Sequence, residues 1–315
     1  MAHSAESYRK IPQESGVIRP TTWIPSDRLS GLLNLDLWFA SETFQRTGSF
    51  KLRAAYHMAS RVPHPTLIAA SSGNFGQGLA CACQLLGKKA IVVMPETSAR
   101  VKVGAIHGWG ASVDLIDLRR VSRQERVEAL ARQHPDAYVA SAYDDPLVIE
   151  GNASLGAEVA GFGVPFDVVL APVGGGGLTA GLIQGLRRAG RSTTVWAVEP
   201  ERANDAARSF RSGQLVSLEQ EPETIADGVR TVSLGQHNWA ILKTGLAGVI
   251  EVSESDIADA VRRLFLEVNL KAEPTGSLAL AGLLKVSDRF AGQKVCCVIS
   301  GGNVDAAVYA RLLGG

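Results

Sequence analysis

The chain has 315 residues, is 46% hydrophobic and 20% charged, and balances 32 basic against 31 acidic side chains. A chain of this length buries roughly 75% of its unfolded surface, so a large core forms without disulfide or metal staples. Ordinary apolar content excludes a disordered chain, and balanced charge without a basic block excludes a broad nucleic-acid footprint. The most apolar stretch, Val168 to Ile183, is broken by glycines and a proline and is too short to span a membrane. The opening MAHSAESYRK lacks the apolar core of a secretory signal, so a cytoplasmic protein is expected. Neither Cys81 with Cys83 nor Cys296 with Cys297 has zinc-site spacing, and all four read as buried, reduced thiols. His3, His57, His64, His107, His134 and His237 show no metal spacing either.

The pattern predicts strands and helices in alternation. Thr66–Ala70 reads as a strand, followed by a helix from Gly76 to Leu86. Lys89–Met94 is a second strand, Ser98–His107 a helix, Ser112–Ile116 a strand, Arg123–His134 a helix and Ala137–Ala140 a strand. A long helix runs to Val159 after Asp145-Pro146. Asp167–Pro172 and Thr194–Val198 are strands separated by a helix that ends near Ala189. Asp256–Val268 and Gly276–Leu284 are helical, and Val295–Ile299 is the last strand. Continuously apolar strands between helices imply parallel sheets covered on both faces. The expected fold class is α/β in two domains: residues 1–62 with 145–315 as the larger, and an inserted smaller one at 63–144. Ligands of such sheets sit at the carboxyl ends of the strands.

Four unusual turns lie at such ends. Gly174-Gly175-Gly176-Gly177 follows one strand and opens a helix, where free N–H groups and positive potential suit a phosphate. A dinucleotide site is the competing reading, because Gly175, Gly177 and Ala180 fit G-x-G-x-x-A and Glu199 ends the next strand. Ser71-Ser72-Gly73-Asn74 offers hydroxyls, an amide and helix-start N–H groups to a carboxylate, or simply caps the helix. Thr47-Gly48-Ser49-Phe50-Lys51 places a lysine after an aromatic residue, and Ser300-Gly301-Gly302-Asn303 ends the last strand. A lysine, a phosphate cradle, a carboxylate cradle and a polar turn are together the parts of a pyridoxal phosphate site. A dinucleotide site explains one of the four.

With these motifs the chain resembles the fold type II pyridoxal-phosphate enzymes, specifically the serine/threonine dehydratase and serine racemase group. The likeness runs through ETFQRTGSFK (Glu42 to Lys51), SSGN with Gln77, Tyr143 to Pro146, Gly174 to Gly177, Val198 to Pro200, Ile225 to Gly228, Glu273-Pro274-Thr275 and SGGNVD (Ser300 to Asp305). The resemblance implies a fold like that of the tryptophan synthase β subunit, with parallel twisted sheets flanked by helices. It makes Lys51 the Schiff-base lysine and Cα base, and packs Phe50 against one face of the pyridine ring. Gly174 to Gly177 and the Leu178 N–H become the phosphate cradle. Asn74 is implied to partner the phenolic oxygen and Ser300 the ring nitrogen. Ser71, Ser72, Gly73, Asn74 and Phe75 form the substrate loop, and Arg123 reaches the substrate carboxylate on closure. In racemases the serine matching Ser72 is a second acid/base. Glu199, the carbonyl of Ala203 and Asp205 match a Mg²⁺ or Ca²⁺ site, and a homodimer is implied.

The chain departs from the group's pattern at Phe75, where His is usual, at Ser141-Ala142, at Arg53-Ala54-Ala55 and at Gly151 to Ser154. Phenyl in place of imidazole removes a donor and adds apolar area. The expected activity is β-elimination of water from an L-3-hydroxy amino acid, giving a 2-oxo acid and ammonia. The substrate is threonine- or serine-like, with room for an apolar or aromatic β-substituent as in phenylserine. The alternatives are a serine or related amino-acid racemase, a 3-hydroxyaspartate dehydratase, a β-replacement synthase, and a phosphate-ligand-binding protein without chemistry.

Overall fold

The structure is a computed structural model that describes residues 16–71, 73–98 and 100–314. Its strands are β1 (Thr22–Pro25), β2 (Asp36–Ser41), β3 (Thr66–Ala70), β4 (Lys89–Pro95), β5 (Ser112–Ile116) and β6 (Ala137–Val139), then β7 (Val168–Pro172), β8 (Thr194–Pro200), β9 (Leu246–Val252) and β10 (Lys294–Ile299). Between and after them run α1 (Asp27–Leu33), α2 (Lys51–Arg61), α3 (Asn74–Leu85), α4 (Arg100–Gly108), α5 (Arg123–Gln133) and α6 (Pro146–Gly161). The later helices are α7 (Gly177–Arg188), α8 (Asp205–Ser212), α9 (Gln236–Gly245), α10 (Glu254–Val268), α11 (Pro274–Lys285) and α12 (Ala306–Gly314).

Two sheets form, in the orders β1-β2-β10-β7-β8-β9 and β5-β4-β3-β6. The pairs are parallel, as the apolar strands predict, except that β1 runs antiparallel to β2. In the larger sheet one face packs Leu37, Phe39 and Val198 against α10 and α11 through Ile257, Leu264, Leu278 and Leu280. The other face packs Val169 and Ala171 against α6 and α7 through Leu155, Val159, Leu182 and Ile183. The smaller sheet alternates likewise. Leu67 and Val92 face α2 and α3, and Ile68 and Val93 face α5. Strand burial on both faces is what unbroken apolar runs encode.

Helix α2, which begins at Lys51, puts Ala54, Ala55 and Met58 into the core of the smaller sheet while its preceding loop docks on the larger one. The lysine therefore stands at the seam of the two sheets. All four cysteines are free and buried. Among the described residues, no helix is long and apolar enough to cross a membrane.

Candidate active site

The turn before Lys51 and the turn after β10 are stitched together. Phe50 N donates to Ser300 O at 3.0 Å, Gly302 N to Gly48 O at 2.9 Å, and Asn303 Nδ2 to Thr47 O at 2.7 Å. Ser49 and Gly301 form an antiparallel bridge. Two loops from opposite ends of the sequence thus carry Lys51 and Ser300 to one cavity of about 610 Å³, which Asn74, Phe75, Glu273 and the glycine loop also line.

Lys51 Nζ donates to Ala142 O at 2.9 Å and lies 5.1 Å from the Phe50 ring centroid and 5.7 Å from that of Phe75. Burial pushes its amine down to about 8, and the charge of Glu273 opposes part of that shift. A free amine is therefore within reach near neutral pH, as an attack on an aldehyde requires.

Gly176 has φ +94°, a left-handed conformation that suits glycine, and α7 starts at the next residue. A Cβ on Gly175 would overlap the Tyr143 ring, and one on Gly174 would lie 2.9 Å from Val229 Cα. The loop therefore accepts no side chains, and its backbone lines the cavity. A phosphate fits this cradle on geometry alone.

Asn74 Nδ2 donates to Glu273 Oε1 at 2.7 Å, and Asn74 Oδ1 accepts from Asn303 Nδ2 at 2.7 Å. These two partners fix which end of the amide is the donor. Glu273 is 3% exposed, and burial, followed by the nearby charge of Asp227, raises its carboxyl to about 8. In the sequence Glu273 stands out only as part of Glu-Pro-Thr. Its partner Asn74 is 199 residues away, so no local signal marks it. Ser71 Oγ accepts from Gly76 N at 3.0 Å and Gly73 N at 3.4 Å, so this hydroxyl does cap the helix. Its O–H is the group left for a carboxylate. Phe75 is 2% exposed, against the same cavity. Ser72 lies outside the described residues.

Arg123 also lines the cavity, but its guanidinium pairs with Glu221 across the mouth at 3.2 Å. Lys102 pairs with Asp227 at 2.6 Å in the same way. Both pairs join helices of the smaller sheet to the connection between α8 and α9.

Glu199 is the penultimate residue of β8, with its carboxylate accepting Ala206 N at 3.2 Å and Ala207 N at 2.6 Å. Asp205 Oδ2 is buried without a partner. Burial raises both carboxyls, Asp205 to about 7. Two desolvated acids and an orphaned oxygen, with the buried Ala203 turn between them, suit a hard divalent cation. Among the described residues no three His, Cys, Asp or Glu side chains cluster, so the Ala203 carbonyl would be needed as the third ligand.

A desolvated lysine beside a helix-start phosphate cradle defines an enzyme that works through a phosphorylated aldehyde cofactor. The family of pyridoxal-phosphate dependent enzymes matches residues 14–301, and the chain belongs to it. It is 35% identical over 304 residues to an L-threo-3-hydroxyaspartate ammonia-lyase of Pseudomonas sp, covering 95% of each chain. It is 34% identical over 298 residues to the serine racemase of Mus musculus, covering 91% of this chain and 87% of that protein. The solved threonine deaminase of T.th. superposes with a TM-score of 0.87 at 41% identity, over 95% of this chain and 97% of that one. The protein is thus a pyridoxal-phosphate-dependent enzyme of the ammonia-lyase type, on the fold type II scaffold.

Proposed function

We propose that this enzyme removes water from an L-3-hydroxy amino acid with an uncharged β-substituent, in the range from threonine to phenylserine, releasing a 2-oxo acid and ammonia. The observation that carries the reading is the Lys51 amine, desolvated in the cavity with the Phe75 ring beside it.

Pyridoxal phosphate, when bound, supplies the aldehyde that holds the substrate nitrogen and a ring that withdraws electrons from Cα. Lys51 would hold the cofactor through its amine and, with that amine free, would take the proton from the substrate Cα. Burial favours the unprotonated form of this amine, which a base needs. Gly174 to Gly177 and the Leu178 N–H would hold the phosphate, and Phe50 would flank the ring. Asn74, oriented by Glu273 and Asn303, donates toward the phenolic oxygen. Ser300 would set an uncharged hydroxyl against the ring nitrogen, where a carboxylate would keep that nitrogen protonated. Ser71, Ser72, Gly73 and Asn74 would take the substrate carboxylate. Residues 63–144 act as the unit that closes over the cleft and excludes water. A divalent cation at Glu199, Ala203 and Asp205 and a homodimer belong to the same reading.

The test incubates the holoenzyme with L-serine, L-threonine, L-3-hydroxyaspartate and L-phenylserine and follows 2-oxo acid formation. Preference for threonine or phenylserine supports the reading. Preference for 3-hydroxyaspartate overturns its substrate half. That second reading has its own support, since the cations Lys102 and Arg123 line the cavity and curated relatives carry that activity in their names. Chiral analysis of recovered serine separates a racemase.

A further inference from the structure

The glycine loop is held in shape by a residue outside it. Gly175 O accepts two hydrogen bonds, from Gly235 N at 3.0 Å and from Asn238 Nδ2 at 2.6 Å. The same Nδ2 donates to Tyr143 O at 3.0 Å, so both of its hydrogens are used. Asn238 lies in the first turn of α9 with no exposed surface. A Cβ on Gly176 would come within 3.0 Å of Asn238 Cβ, so the side chain is packed directly against the loop.

A trans peptide is planar, and its C=O and N–H point in opposite directions. Drawing Gly175 O toward Asn238 therefore turns Gly176 N–H the other way. The cavity lies along this loop, and Asn238 is not among the residues that line it. We propose that Asn238 is a positioning residue for the cofactor phosphate, holding the Gly175–Gly176 peptide so that Gly176 N–H is directed into the cavity. This rests on reading the glycine loop as the phosphate cradle.

The full chain, freed of cofactor, and its Asn238→Asp and Asn238→Ala variants are each titrated with pyridoxal phosphate and, separately, with pyridoxal. Pyridoxal carries the same aldehyde without the phosphate. The Asp variant keeps the size of the side chain but donates at most one hydrogen. In both variants the Kd for pyridoxal phosphate rises at least about tenfold, the low end for a hydrogen bond to a charged group. The Kd for pyridoxal stays within about twofold of the unsubstituted protein's, because the aldehyde end of the site is untouched. Equal weakening of both ligands overturns the inference, and so does unchanged affinity for pyridoxal phosphate. If the Ala variant does not fold, the Asp variant decides. If neither folds, Asn238 is a stability residue and the inference falls. Failure of the cradle reading shows differently, as an unsubstituted protein that binds both ligands alike.

Discussion

Replacing Arg53 by methionine will destabilise the protein by about 4 kcal/mol, within the ~3–5 kcal/mol that breaking a buried ion pair costs. Arg53 is 1% exposed. Its Nε and NH2 donate to the two oxygens of Glu42 at 2.7 and 2.9 Å, and its NH1 donates to Glu158 Oε1 at 2.7 Å. Thr21 Oγ1 and Ser154 Oγ accept from it as well, at 3.0 and 3.1 Å. Methionine fills most of the volume but leaves two carboxylates, one with no side-chain exposure and one at 12%, without a cation. Adding the five lost bonds separately would overshoot, because the measured cost of breaking such a pair already includes them.

Thermal unfolding reads the effect. An unfolding entropy of ~2.1 cal/mol/K per residue over 315 residues converts about 4 kcal/mol into a fall of about 6 °C in Tm. Combining Arg53→Met with Glu42→Gln removes one orphaned charge and recovers part of the loss. Burial pushes the Glu158 carboxyl up, and the charge and hydrogen bond of Arg53 more than offset it, leaving it below its ordinary 4.5. A depressed folded-state value gives stability that is present above the unfolded value and lost as pH falls through the folded one. The gap between the two proteins therefore narrows below about pH 4.5. A Tm change under about 2 °C at pH 7, or a gap that widens in acid, refutes the reasoning.

Further outcomes follow from the site. Cofactor loading of the freed chain speeds up as pH rises through about 8, since the Lys51 amine titrates there; a midpoint above 10 in a stopped-flow absorbance profile refutes the burial argument. Glu273→Gln removes a charge that holds the lysine proton, so it moves that midpoint down, and an upward move contradicts the pairing. Gly175→Ala drives a Cβ into the Tyr143 ring and weakens pyridoxal phosphate binding about tenfold by equilibrium titration, from ~1–3 kcal/mol of overpacking; unchanged affinity shows that the ring yields. Phe75→His restores a donor beside the cavity and raises the kcat/KM ratio of 3-hydroxyaspartate over threonine about tenfold; an unchanged ratio means that Phe75 does not select the substrate.

The elements that carry chemistry are legible because their signals are local. A run of four glycines and a serine turn each sit where an apolar strand stops, and periodicity places the strand, while the lysine is marked by the Gly-Ser-Phe turn before it. Strands β1, β2 and β9 and helices α1, α2, α8, α9 and α12 escape that reading. Their runs are short or mixed, as in Asp36–Ser41, and β1 and β9 gain their identity from a neighbour at the sheet edge. The polar residues that hold the site together are illegible for a different reason. The local sequence does not mark Arg53, Glu273 or Asn238 as buried polar anchors. Each is defined by partners far along the chain: 105 residues to Glu158, 199 to Asn74 and 63 to Gly175. Local pattern reports burial and period, whereas a buried polar side chain is explained only by what it touches.

The same distinction separates the contacts that build the cleft from those that close it. The loops bearing Lys51 and Ser300 are joined by backbone hydrogen bonds, and the buried Glu273 accepts from the half-buried Asn74, so this wall of the cavity is fixed at folding. The pairs across the mouth are different. Arg123 and Glu221 keep 37% and 49% of their side-chain surface, and Lys102 and Asp227 keep 30% and 42%. Exposed pairs of this kind contribute ~0–1 kcal/mol each. Two of them bias the mouth toward closure without locking it, and a carboxylate that approaches Arg123 displaces Glu221 at little cost. Strong contacts thus lie along the inner wall of the cavity, and weak ones lie at its mouth.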